Sequence, residues 1–313
     1  MQIPFFEAIA NSRTILLAGA GGGFDIASGI PLYTYLRRLG KKVVLANLSF
    51  TALSFTDCQA IIPGVYEVTA ESGDVPYFPE KYILEWIRDQ GETPAMYAFS
   101  NKLGVRPLAE GYAALIQAHA IDTLVMVDGG TDSLMFGDES GVGTIIEDAC
   151  SIVAASLQRM PLSFLVAVGF GVEHFHKLDH HACLENIATL IKSDAYLGAV
   201  SLTKEMPDGE SYLKLVAYLN SRQPTHMSIV TNSLASAMKG EFGDFHPTPR
   251  TGNSEQFINP LMGLLWFFTL EGIASRITFR PEIEDSRTMD EVAKGFTRYR
   301  NMTQRRPLKK IPL

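Results

Sequence analysis

Apolar residues recur along this chain in short, nearly unbroken runs, each closed by glycine or a polar residue and followed by a segment of helical spacing. Thr14–Ala18 (Thr-Ile-Leu-Leu-Ala) is the first of them. A run this short, without polar alternation, reads as a strand buried on both faces, the pattern of a parallel sheet. Lys42–Leu48, Ala95–Phe99, Asp122–Val127, Ser163–Val168, Tyr196–Ser201 and Met227–Thr231 read the same way, with Val65–Ala70 as a short edge strand. Between these runs the period changes to 3.6. Helices are expected over Asp25–Gly40 (interrupted at Gly29-Ile30-Pro31), Pro79–Gln90, Leu108–Ala120, from Ile145 onward, and over His181–Lys192, Gly209–Asn220, Leu234–Lys239 and Met289–Gln304. In the helix from Ile145, the apolar stripe is Ile146, Cys150, Val153 and Leu157, which leaves Glu147, Asp148, Ser151 and Gln158 on the opposite face. Thr144 and Glu147 have the spacing of a capping box.

Strand–helix alternation over the whole length predicts one α/β domain spanning residues 1–313. Its sheet is expected to be doubly wound, mostly parallel and Rossmann-like, with helices on both faces. Two stretches depart from the alternation. Residues 50–79 form an irregular excursion punctuated by Pro63, Gly64, Gly73, Pro76 and Pro79. Residues 240–259 are too long for a plain connector and read as a lid or binding loop. Asn259-Pro260 has the form of an N-cap with proline at the first helical position, so the apolar segment from Leu261 is expected to be a central, buried helix.

Each expected strand ends in a cluster of glycine or polar residues, and in an open parallel sheet those ends share one edge, where a switch in strand order opens a crevice. Gly19-Ala20-Gly21-Gly22-Gly23-Phe24-Asp25 is the most pronounced cluster. Strand, glycine turn and helix in that order place backbone N–H groups at a helix N-terminus, which suits a phosphate. The plain alternative is a tight turn with Asp25 as a helix cap. Gly19 and Gly21 also fit the first two positions of the dinucleotide pattern G-x-G-x-x-G. Phe24 stands at the third, and the second strand meets Asn47 where an acid is required, so NAD(P) is the weaker reading.

Asp128-Gly129-Gly130-Thr131-Asp132-Ser133 follows the most strand-like run of the chain, with Asp138 and Glu139 in the same loop. Carboxylates brought this close need protons or a cation, and oxygen ligands suit Mg²⁺ or another divalent ion. Asp128, Asp132 and Asp138 are therefore the expected metal ligands, with Asp128 and Asp132 also catalytic. His246 and Arg250 in the long loop are expected to close over the ligand, His246 as a general acid and Arg250 as a phosphate partner. Gly19, Gly21, Gly22, Gly23, Asp25, Asn47, Gly129, Gly130, Thr131, Gly169, Gly171, Asn232 and Ser233 complete the expected ligand-binding set. His176 and His180 have the i, i+4 spacing of a transition-metal pair. Cys183 and Leu184, however, put His180 on a buried face, which favours a structural histidine.

Composition narrows the classes further. With 313 residues and 46% apolar content the chain can bury a sizeable core. A formal charge of −7 argues against a nucleic-acid surface. Cys58, Cys150 and Cys183 are scattered, with no C-x-x-C pair, as in reduced cytoplasmic proteins. Met1–Asn11 lacks the basic start of a signal peptide, and Leu261–Leu270 is about half the length needed to cross a bilayer. A soluble, cytoplasmic protein is expected, as a homo-oligomer, with no membrane partner. The basic tail from Arg305 reads as a solvated terminus or a dimer arm.

The blocks Gly-Ala-Gly-Gly-Gly-Phe-Asp (19–25), Val-Asp-Gly-Gly-Thr-Asp-Ser-Leu (127–134), Gly-Asp-Glu (137–139), Gly-Thr-Ile-Ile-Glu-Asp-Ala (143–149) and Asn-Pro-Leu-Met (259–262) resemble domain-of-unknown-function family 1152, a prokaryotic family. The resemblance spans Gly19 to Met262 and implies one whole-chain domain. It supplies no reaction and transfers no catalytic residue. From the residues themselves, the expected function is binding of a nucleotide or sugar phosphate for metal-assisted hydrolysis or group transfer. The rivals are an NAD(P)-dependent oxidoreductase and a non-catalytic nucleotide sensor acting through an oligomer.

Overall fold

The computed structural model describes residues 2–311. Its strands are β1 (Thr14–Gly19), β2 (Lys42–Ser49), β3 (Gln59–Ile62), β4 (Val65–Val68), β5 (Met96–Ser100), β6 (Thr123–Asp128), β7 (Ser163–Val168), β8 (Tyr196–Ser201), β9 (Gly243–Asp244), β10 (Phe257–Ile258) and β11 (Leu264–Thr269). Nine of them form one sheet in the order β3-β4-β5-β2-β1-β6-β7-β11-β8, while β9 and β10 make a separate small ribbon. The five central strands, β5 to β7 in that order, are parallel. The sheet is antiparallel at both margins, where β3 and β4 form a hairpin against β5 and β11 runs opposite to β7 and β8.

The helices are α1 (Pro4–Ala8), α2 (Asp25–Ser28), α3 (Ile30–Arg38), α4 (Pro79–Asp89), α5 (Val105–His119), α6 (Ile145–Ser156), α7 (His180–Lys192), α8 (Pro207–Arg222), α9 (Ile229–Lys239), α10 (Leu270–Ala274), α11 (Arg280–Ile283) and α12 (Met289–Met302). The core divides by strand parity, because successive side chains of a strand point to opposite faces. Leu16, Ala18, Leu124, Met126, Leu165 and Ala167 pack under α5, α6, α7, α10, α11 and α12. Ile15, Leu17, Val125, Val127, Phe164 and Val166 pack under α1, α2, α3, α4, α8 and α9. Both faces are covered, which is why these strands are apolar throughout. The expected α/β class and mostly parallel sheet are those observed.

Two expectations are corrected and a third is qualified. Met227–Thr231 is not a strand: the Ser228 hydroxyl caps α9 by accepting from the Thr231 N–H at 3.2 Å. Asn232 and Ser233 therefore lie inside a helix and not at a strand end. The segment from Leu261 is not a buried helix. Asn259 does cap a proline-led turn, accepting from the Leu261 N–H at 2.9 Å, but the turn is a 3₁₀ helix over Pro260–Gly263, and the apolar run beyond it is β11. The basic tail, expected as a solvated terminus or a dimer arm, is exposed over residues 307–310 but anchored at Arg306. Arg306 is paired with Asp138, Glu139 and Glu185, and Glu139 is fully buried.

Between β1 and β6 the chain order of the parallel strands reverses, so the loops after these two strands diverge and leave a crevice. The strand β11 closes one flank of the sheet through Phe267, which is buried and stacked on Phe5 at 4.3 Å. Phe267→Ala is expected to cost about 3–5 kcal/mol in a denaturant titration. A loss below about 1 kcal/mol would mean that this strand adds little to the core.

Candidate functional site

The crevice holds a pocket of about 360 Å³ lined by six acidic residues: Asp25, Asp128, Asp132, Glu147, Asp148 and Glu173. Three elements deliver them. The glycine loop after β1 leads into α2 with Asp25 as its first residue, the β6 loop carries Asp128 and Asp132, and α6 begins beneath them with Glu147 and Asp148. Glu173 arrives on a 3₁₀ segment, Val172–His176, bounded by left-handed residues at Gly171 and Lys177.

Backbone compactness makes this convergence possible. Gly22 and Gly23 adopt φ of 98° and 63°, conformations that favour glycine. A Cβ at Gly21 would come within 2.5 Å of an Asp148 carboxylate oxygen, and one at Gly130 within 2.0 Å of Glu173. The buried amide of Asn47 braces the loop from β2, donating to the Gly23 carbonyl and to Glu80, each at 2.8 Å. Asn47 is thus a strut.

Most of the acids have a donor from a neighbouring loop. Thr144 donates to Asp132 through its N–H at 2.9 Å and its hydroxyl at 2.6 Å. The same threonine makes no side-chain cap on α6, so the expected capping box is absent. Thr131 donates to Glu173 through its N–H at 2.9 Å and its hydroxyl at 3.2 Å, and Ser133 donates to Asp128. The Gly21, Gly22 and Gly129 N–H groups turn toward the Asp25 carboxyl. The Gly23 N–H bonds Leu48 and that of Ala20 bonds Val127. Two of the loop's amides are thus bonded within the protein, and the Asp25 carboxyl lies close to the others. Glu147 and Asp148 are the exceptions, and the buried Oδ1 of Asp148 finds no hydrogen-bond partner among the described residues.

Burial and mutual repulsion raise the proton affinity of the cluster. Asp25 is pushed up to about 8, first by burial and then by the Asp132 charge, against the pull of the glycine N–H groups. Asp128 and Asp148 are raised well above the usual carboxylate range by burial and then by Asp132. Glu173 follows for the same two reasons, and burial raises Glu147. His176, which also lines the pocket, is lowered by burial. One oxygen each from Asp25, Asp128 and Asp148 can be chosen so that all three lie within 4.8 Å of one another. That spacing suits shared coordination of a single cation.

The expected ligand set is thereby rearranged. Asp128 and Asp132 line the pocket, but the closest carboxylate trio replaces Asp132 and Asp138 with Asp25 and Asp148. Asp138 lies apart, bound to Arg306. His246 bonds Thr251 at 3.0 Å and Asp244 at 3.2 Å, and Arg250 bonds the Met227 carbonyl; neither lines the pocket. Asn232 pairs with Asn220 and Ser233 with Gln256, away from it. Gly19 closes against Asn47, Gly129 lies against Asp25, and Gly169 and Gly171 turn the chain into the Glu173 segment. His176 and His180 do not pair. The former faces the acidic pocket, and the latter packs edge-on against Phe170, with ring centroids 5.4 Å apart.

The model of the family described as Protein of unknown function (DUF1152) matches residues 16–304. The chain belongs to that family. No curated protein and no solved structure matches the chain. The DUF1152 match covers every acidic residue of the pocket. No helix among the described residues is long and apolar enough to cross a membrane.

Asp148, Glu147, Glu173 and His176 were not among the residues expected at the site. Asp148 lies on the polar face of α6 yet is 2% exposed, because the helix is buried on nearly all sides and only its first turn, with Glu147 and Asp148, opens onto the crevice. The available signal was its position: two acids in the first turn of a helix that opens just after a strand-end loop.

These shifts fix a pH dependence. A carboxyl whose folded value exceeds its ordinary value, 3.8 for Asp25, stabilises the fold below that ordinary value. The contribution is lost as pH rises through the folded value, about 8 for Asp25. Cation-free protein is therefore expected to lose melting temperature from about pH 4 to about pH 8. Asp128→Asn should flatten that slope and hold or raise stability at the alkaline end. A uniform loss of stability in this variant would instead make Asp128 a turn residue held by Ser133.

Proposed function

We propose that the pocket holds a divalent cation on Asp25, Asp128 and Asp148 and, through it, binds a small phosphorylated molecule for hydrolysis or group transfer. The observation that carries this reading is the close trio of carboxylates together with the orphaned Oδ1 of Asp148. A buried acceptor without a donor is costly, and a cation relieves it while cancelling the repulsion among its neighbours. All-oxygen ligands match Mg²⁺, Mn²⁺ or Ca²⁺.

The same acids decide how a phosphate would be held. Six acidic side chains around the pocket oppose a bare anion wherever they are ionised. The cation is then the phosphate's attachment point and polarises the bond that breaks. His176, an exposed residue on the pocket wall whose proton affinity is lowered by partial burial, is the base available to an attacking water or hydroxyl. Asp132 and Glu173, fixed by Thr144 and Thr131, complete the acidic surround.

Titration calorimetry with Mg²⁺, Mn²⁺ and Ca²⁺ is expected to show binding to the wild type and at least roughly tenfold weaker binding to Asp148→Asn. Turnover of a phosphorylated substrate should fall by roughly 100-fold or more in Asp128→Asn. Absence of divalent binding by the wild type, with and without a phosphorylated ligand, would overturn the metal reading.

A further inference from the structure

Beside the acidic pocket lies a larger groove, of about 920 Å³. The two cavities are separated by one element, the Val172–His176 segment, and Phe175 lines both. The walls differ in kind. The pocket is ringed by acids, whereas most of the groove's surface is apolar, from Phe170, Leu178, Phe257, Leu261 and Leu308 in addition to Phe175, with Glu255 and three histidines among its polar residues. Phe257, Leu261 and Leu308 are 40%, 44% and 68% exposed, an unusual concentration of open apolar surface. Lys177, Lys309 and Lys310 stand on the groove.

We infer that pocket and groove are two compartments of one binding site, whose ligand is a phosphate ester of an apolar alcohol: the head sits on the cation and the body lies along the groove. This inference rests on the cation-dependent phosphate reading above and narrows its substrate class. The apolar walls, which make up most of the groove's surface, select the body, because an alkyl chain gains most from leaving water there. Charge selects the head. Lys177 and Lys310 attract an anion toward a pocket whose own acids accept it through a cation, Lys309 being paired with Glu185. Phe175 joins the two halves, since it contacts the ligand where the head meets the body.

The test is calorimetry with Mg²⁺ present, using inorganic phosphate and a series of n-alkyl phosphates as probes. For wild type, each added CH₂ that enters the groove should tighten binding by roughly fourfold until the groove is filled. Leu261→Asp and Leu308→Asp, both at exposed positions, should flatten the chain-length dependence, and Mg²⁺ titration of the same variants reports whether the pocket is intact. Mg²⁺ binding without chain-length dependence would overturn this inference and leave the metal reading standing. Chain-length dependence that is indifferent to Mg²⁺ would overturn it as well, because the groove would then be a separate site. Failure of Mg²⁺ to bind at all would sink the metal reading itself. Light scattering covers the remaining occupant: a dimer that Leu261→Asp dissociates would make the groove an interface between copies and overturn the inference.

Discussion

Buried carboxylates cannot all carry charge at close range, and this constraint organises the edge of the sheet where β1 and β6 part. Each acid that is turned inward requires a donor, a proton or a cation, and the surrounding loops are built to supply donors. Thr144 serves Asp132, Thr131 serves Glu173, Ser133 serves Asp128, and the glycine amides serve Asp25. Glu147 and Asp148 receive no donor from these loops, and of the two only Asp148 has a buried oxygen left without a partner among the described residues. A nine-stranded sheet with apolar layers on both faces provides the stability against which this strained edge is set.

The glycine loop takes on a different meaning in this setting. A strand–glycine–helix passage ordinarily presents amides to a ligand phosphate, but here the helix that follows is only Asp25–Ser28, and its first side chain folds back onto the loop. Close approach is still what glycine provides. The groups that approach are protein carboxylates.

Much of this architecture was legible in the residues. β1 and β6 declare themselves because both faces are buried, so the run is wholly apolar and its end is abrupt. β11 did not, because Leu-Leu-Trp-Phe-Phe-Thr has no period by which to separate strand from helix, and the cap at Asn259 argued for helix while closing only a four-residue turn. The site was half visible. Asp128 and Asp132 stand at a strand end, where position alone identifies them. Asp148 and Glu173 are brought in by tertiary packing, and their local surroundings resemble an ordinary polar helix face and an ordinary loop. His246 and Arg250 drew attention as charged residues in a long loop, but that loop packs beside α9 and holds them elsewhere.

The order of the strands also bears on how the chain is made. β8 pairs with no strand except β11, and β11 is inserted between β8 and β7. During synthesis, β8 therefore leaves the ribosome long before the only strand that can receive it, and until then β7 presents an unpaired edge. Such an edge is a template for pairing with another chain. Between the emergence of Ser201 and that of Thr269, topology alone leaves β8 without its partner and the edge of β7 open.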